Sequence, residues 1–170
     1  MDGHAARARY RKASGMTVSP DMDRIADRME IASLSDRFGR ALDTNDLAMF
    51  LSIFAEDVDY RSGGRHLPGT AALEQFFTQR ASGGRVSRHF YSGLIVAFDG
   101  EDSATASSNW ITFGGAGPLP LSGTEPFMVA DVHDSYRRIG VHWLITKREI
   151  VPVFRNENAA PPVPAAGAKS

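Results

Sequence analysis

Between residues 22 and 54 the apolar side chains return every three or four positions. Met22, Ile25 and Met29, then Leu34, Phe38 and Leu42, fall on one side of a 3.6-residue period, which predicts one long amphipathic helix. Asp21 is its candidate cap. Thr44, Asn45 and Asp46 interrupt the run, and Asn45 or Asp46 can cap a second helix carrying Leu47, Phe50, Leu51 and Phe54. The stretch VDYRSGGR reads as a short extended piece. Gly69 and Thr70 open a third helix with Leu73, Phe76 and Phe77 on one side, and Gly83 and Gly84 stop it.

After residue 87 the period drops to two. Residues 87–98 predict a strand, DGED at 99–102 a turn, Ser103 to Phe113 a second strand and GGAGPLPLSG a loop. Glu125 to Arg138 and His142 to Phe154 complete the set, with Gly140 turning between them. Three helices, one short strand among them, and four long antiparallel strands predict an α+β fold with helices on one face of a curved sheet. Alternation places Met128, Ala130, Val132 and Asp134 on one face and Phe127, Val129, Asp131 and His133 on the other. In the last strand it places Leu144, Thr146, Arg148 and Ile150 opposite Trp143, Ile145, Lys147 and Glu149. Arg148 thus shares a face with Leu144 and Ile150. It is either a buried cation that needs an acid or an anionic ligand, or a solvated charge.

The 170 residues suffice for one domain with a real core. Residues 1–20 carry Arg7, Arg9, Arg11 and Lys12 against Asp2, show no apolar period and read as a disordered basic arm. Residues 159–170 read as a disordered Pro/Ala-rich tail, which leaves 21–158 as the domain. A net charge of −1 gives no bulk attraction to nucleic acid or to an anionic membrane. No cysteine is present, so disulfides, thiolate nucleophiles and cysteine-held metals are excluded. That composition fits a reducing, cytoplasmic setting. No apolar run reaches the roughly 18 residues that span a bilayer. His66, His133 and His142 do not fall at metal-ligand spacing, and neither a metal nor an organic cofactor is expected.

Candidate chemistry gathers around SRHFYSGLIVAF, residues 87–98. Ser87, His89 and Tyr91 share one strand face, while Arg88 and Phe90 share the other. An imidazole opening so apolar a strand is either a structural or surface group or a base in a cavity. Asp43 ends the first helix, where the macrodipole disfavours an acid. It either caps the turn into DTND or serves a site.

Four stretches together resemble the SnoaL-like branch of the NTF2-like superfamily: RFGRALDTNDLAMFLSIFAEDVDY, GTAALEQFF, SRHFYSGLIVAF and VADVHDSYRRIGVHWLITKR. The resemblance covers about residues 25–155. It implies a cone-shaped α+β barrel, a curved, mixed and largely antiparallel sheet closed over a deep pocket by three N-terminal helices. Scytalone dehydratase, hexachlorocyclohexane dehydrochlorinase and bile acid 7α-dehydratase look similar, and the resemblance implies their histidine–aspartate base at His89 and Asp43. It also implies a functional arginine at Arg148 and a tyrosine that holds a water and a carbonyl at Tyr60. Phe38, Gly114 and Val132 depart from the polar residues that one or other of these enzymes carries. The implied pocket wall is Phe38, Phe54, Trp110, Thr112, Met128, Ala130, Val132 and Ile150, suited to a small hydrophobic molecule such as a ring, steroid-like or polyketide-like compound. Two functions stay open: a cofactor-independent lyase or isomerase, or a non-catalytic binding or assembly subunit resembling the small subunit of ring-hydroxylating dioxygenases, with Asp131 and His133 as contacts. In both, a homo-dimer or homo-trimer is expected, because Phe127, Val129 and Ile145 make the outward sheet face unusually apolar.

Overall fold

Helix α1 spans Ile25–Thr44 and ends on Asn45, which adopts the left-handed conformation (φ 54°) of a helix terminus. The computed structural model describes residues 24–159 apart from residue 124, so the basic arm, the Asp21 cap, Met22 and the tail beyond 159 lie outside the described residues. Asp46 caps the five-residue α2, Leu47–Leu51, by accepting a hydrogen bond from the Met49 N–H at 2.9 Å. Strands β1 (Phe54–Ser62) and β2 (Arg65–Pro68) form a hairpin around Gly63 and Gly64, both at positive φ. Helix α3 follows over Gly69–Ser82. Then come β3 (Arg85–Phe98), β4 (Ser103–Ala116), β5 (Met128–Ile139) and β6 (His142–Arg155), and a 3-10 turn over Glu157–Ala159.

The six strands form one sheet in the order β2-β1-β6-β5-β4-β3. The β3-to-β6 pairs are antiparallel, whereas β1 lies parallel to β6, with Tyr60 opposite Arg148. Helix α1 packs on β3 and β6, and α3 packs on β1. Between helices and sheet lies a core of rings: Phe50 sits 4.7 Å from Phe77 and 5.2 Å from Phe54, and Phe38 meets Trp110 edge-on at 5.5 Å. Such tilted and edge-to-face contacts suit the quadrupoles of the rings. No described helix is long and apolar enough to cross a membrane.

Four sequence expectations change. Phe54 opens β1 instead of closing the second helix, which ends at Leu51. Ile25 and Met29 are exposed; the buried face of α1 runs from Ile31 through Leu34, Phe38 and Leu42. The single short strand is a hairpin whose first strand has nine residues. Finally, Trp143 and Ile145 are buried together with Arg148, which strict alternation forbids. The cause is a register shift between β5 and β6, where Ser135 pairs with Lys147 but Tyr136 pairs with Ile145. One extra residue on β6 resets which side chains point inward. Ile145 therefore leaves the outward apolar face assigned to it.

Candidate active site

Asp43 stands at the last turn of α1 and His89 five residues into β3. The two elements approach closely because Gly39, one turn before Asp43, faces β3. A Cβ built there would lie 3.4 Å from the His89 Cβ and 3.5 Å from the Trp110 ring. A longer side chain has no room. The His89 Nδ1 lies 2.6 Å from Asp43 Oδ1, and the His89 backbone N–H donates to Asp43 Oδ2 at 3.0 Å. The Ser87 hydroxyl donates to Asp43 Oδ1, also at 3.0 Å. With Asp43 ionised, Nδ1 carries the proton and Nε2 the lone pair. Among the described residues nothing hydrogen-bonds Nε2.

The electrostatics favour that state. Burial, with Arg80 and Arg85 adding to it, lowers the His89 pKa below the ordinary histidine value, although Asp43 pulls the other way. Burial alone would raise the Asp43 pKa, but the hydrogen bonds from His89 and Ser87 outweigh it and leave a lowered value. A neutral imidazole beside a carboxylate is the resting pair near neutrality.

Arg148 lies in the core, 0% exposed. Its Nε and Nη2 donate to Asp134 Oδ1 and Oδ2 at 2.8 and 2.6 Å, and its guanidinium sits 4.1 Å over the Phe38 ring. Tyr136 donates to the same Asp134 at 2.8 Å. Burial works against the Arg148 charge, yet Asp134 prevails and holds its pKa above the ordinary value. Nη1 is buried without a hydrogen-bond partner among the described residues. Alternation put Asp134 on the face of Met128, Ala130 and Val132, but its pairing with Arg148 needed the strand register to be seen. Tyr60 is buried with its ring 6.4 Å from Phe38 and 6.3 Å from Phe76. Burial raises its pKa, so its hydroxyl keeps its proton.

The residues expected to wall a pocket are mostly buried. Phe38, Phe54, Trp110, Thr112, Ala130 and Val132 are each at most 4% exposed. Phe38, Phe54, Trp110 and Val132 belong to one core cluster with Ile150 packed against it, and Met128 is half-buried. Trp110 stacks on Tyr91 at 5.0 Å and donates from Nε1 to Ser108 Oγ at 2.8 Å. Tyr91 in turn donates to Asp36 at 2.9 Å. A cavity of about 720 Å³ borders the site at Ser87. Ser87, Gly114, Phe113 and Leu121 help to line it, and His89 does not. Residues that the sequence did not single out are Gly39, Arg80, Ser87 and Asp134. Two of them had a signal: Ser87 shares the strand face of His89, and Asp134 shares that of Met128, Ala130 and Val132. His66 pairs with Asp59 at 2.8 Å on the exposed hairpin. Among the described residues no cluster of three or more His, Asp or Glu side chains could hold a metal ion.

The sequence profile of the SnoaL-like domain matches residues 23–149. No curated protein matches the chain. Among solved structures, an NTF2-like protein with a cystatin-like fold from Novosphingobium aromaticivorans is 25% identical, with a TM-score of 0.66 over 85% of this chain and 96% of that one. A type 2 hexachlorocyclohexane dehydrochlorinase is 17% identical, with a TM-score of 0.69 over 80% of this chain and 91% of its own. A protein provisionally assigned as a scytalone dehydratase, also from N. aromaticivorans, is 17% identical, with a TM-score of 0.67 over 84% of this chain and 97% of its own. At those identities the last two share the fold.

Proposed function

Because the chain belongs to the SnoaL-like domain family, we propose that it is a cofactor-independent lyase or isomerase in which His89, oriented by Asp43, is the general base. The observation that carries this reading is the 2.6 Å Nδ1–Oδ1 contact, with the carboxylate also bound by the Ser87 hydroxyl and the backbone N–H of His89 itself. Three donors on one carboxylate fix the imidazole plane and leave Nε2 free to accept a proton. A purely structural histidine needs no such arrangement. That two structural neighbours are called a dehydrochlorinase and a dehydratase supports an elimination.

In the reaction, Nε2 removes a proton from a carbon beside a carbonyl or a leaving group. The C–H electron pair then forms a double bond. It either expels the leaving group from the adjacent carbon or returns to another carbon, with the imidazolium supplying the proton. Asp43 stabilises the imidazolium throughout. The unpartnered Arg148 Nη1 is the donor for negative charge that develops on oxygen or on the departing group. The Tyr60 hydroxyl, kept protonated, is a second donor for a carbonyl. Rings surround both groups, so the substrate is apolar. The test is deuterium uptake from D₂O into a panel of cyclic ketones, followed by NMR. His89→Ala should slow exchange by about 10²–10⁴-fold in a folded protein; undiminished exchange would sink the proposal.

The filled interior favours a second reading, a non-catalytic subunit. In that case the same panel shows no enzyme-dependent exchange and wild type matches His89→Ala. Under either reading we propose a homo-oligomer that buries the outer sheet face. The register sets Phe90 opposite Ile111, Ile111 opposite Val129 and Val129 opposite Phe154. This is an apolar row across four strands, with Phe90 58% and Phe154 69% exposed.

A further inference from the structure

We propose that Arg80 and Ser87 are positioning residues for the His89–Asp43 base, acting as a two-step clamp that fixes the Asp43 carboxylate. Arg80 belongs to the last turn of α3, the helix that packs on β1, yet its guanidinium reaches the end of α1. Its Nη1 donates to the Leu42 carbonyl at 2.9 Å and to Asn45 Oδ1 at 3.1 Å, and its Nη2 donates to Ser87 Oγ at 2.7 Å. The Leu42 carbonyl belongs to the terminal turn of α1, where backbone acceptors lack helical partners and a cation is favoured. Asn45 is the left-handed residue that ends the helix. Arg80 therefore binds the chain on both sides of Asp43, one residue before it at Leu42 and two after it at Asn45.

The direction of the next bond follows from chemistry. A guanidinium only donates, so the Ser87 oxygen accepts from Arg80 and its single proton must go elsewhere. The nearer acceptor is Asp43 Oδ1 at 3.0 Å, against 3.5 Å to the Leu42 carbonyl. The chain of donation is thus Arg80 to Ser87 to Asp43, and it meets the His89 Nδ1–H on the same carboxylate oxygen. Arg80 and Ser87 are 7% and 2% exposed, so water does not replace these bonds. The charged groups that bear on His89 are Asp43 from α1, Arg80 from α3 and Arg85 from its own strand. The two cations oppose protonation of the imidazole, and Asp43 favours it.

This inference rests on the base reading given above, but its test does not need a substrate. In ¹⁵N-histidine-labelled full-length protein, wild-type His89 should titrate below the ordinary histidine range and show only the Nδ1–H tautomer. Ser87→Ala should bring up a detectable Nε2–H population and raise the His89 pKa, because Asp43 loses a donor and a fixed orientation. Ser87→Thr, which keeps the hydroxyl, should restore the wild-type spectrum. Arg80→Met should raise the pKa further by removing a cation. Should that variant not fold, Arg80→Lys keeps the charge but loses the fork, and is expected to show mixed tautomers with little change in pKa. A folded Ser87→Ala protein with an unchanged tautomer and pKa would overturn the clamp and leave the base reading standing. Conversely, a clamp seen by NMR with deuterium exchange undiminished in His89→Ala would keep the clamp and remove the base reading.

Discussion

Arg148 Nη2 and Asp134 Oδ2 face each other at 2.6 Å across adjacent strands, and both side chains are removed from solvent. Removing one partner from such a pair strands the other charge in the core. Asp134→Ala should therefore lose about 3–5 kcal/mol, read as a lower urea midpoint. The double variant Asp134→Leu/Arg148→Met should recover most of that loss, because no charge remains to be desolvated. A double variant as unstable as the single one would show that the pair contributes net stability.

The pH response follows from two lowered pKa values. In the native protein both His89 and Asp43 titrate below their unfolded values. Between the two values the unfolded chain holds more protons, so stability rises with pH across each window. The His89 contribution is complete above an ordinary histidine pKa of about 6.5 and is lost as the pH falls through the folded value. The Asp43 contribution is complete above the unfolded value of 3.8 and disappears below it in the same manner. Denaturant midpoints of wild type should decline as the pH falls from 7 to 5, and those of His89→Gln should decline less. The rate of base-catalysed exchange should show a single acidic limb with its midpoint under 6.5, since the neutral imidazole is the active form.

Gly39 sets the distance between α1 and the base. Gly39→Ala places a methyl at ordinary contact distance from His89 and Trp110. It should fold with a stability change within about 1 kcal/mol, the helix-propensity gain offsetting any crowding. Gly39→Leu has no space to occupy and should push β3 away, breaking the Asp43–His89 contact. Loss of the Nδ1–H signature in the leucine variant alone is the expected NMR result.

Trp110 distinguishes a packed interior from a vacant one. At 3% exposure and against Phe38, Tyr91 and His89, it behaves as core. Trp110→Ala should cost about 3–5 kcal/mol in thermal or urea unfolding. It should also open a cavity beside His89 that takes up small aromatic compounds, detectable as ligand-induced stabilisation. A loss under about 1 kcal/mol would mean that the ring already lines open space.

The outer apolar row predicts that wild type sediments as a dimer or trimer at micromolar concentration. Phe90→Glu with Phe154→Lys should shift it to the monomer, because both side chains stand exposed on that row. A monomeric wild type would remove the oligomer proposal without touching the site.

Residue periodicity alone determined much of this protein. The switch from a 3.6-residue to a 2-residue period at residue 87, with Gly83, Gly84 and Gly140 as breaks, located α1, α3 and the four long strands. Alternation on β3 correctly set Ser87, His89 and Tyr91 on one face and Arg88 and Phe90 on the other, because a regular strand has no freedom to do otherwise. The tertiary structure decided what local pattern does not encode. One extra residue on β6 brought Trp143, Ile145 and Arg148 to the same side. The register of β5 on β6 chose Asp134 as the acid for Arg148. Gly39 allowed Asp43 to reach His89, 46 positions along the chain, and α3 delivered Arg80 to Ser87 and to the end of α1. The rings expected to wall a pocket are buried in the core. Periodicity fixes which face a side chain takes, but how closely two faces approach depends on the summed volumes between them, and that is a property of the packed whole.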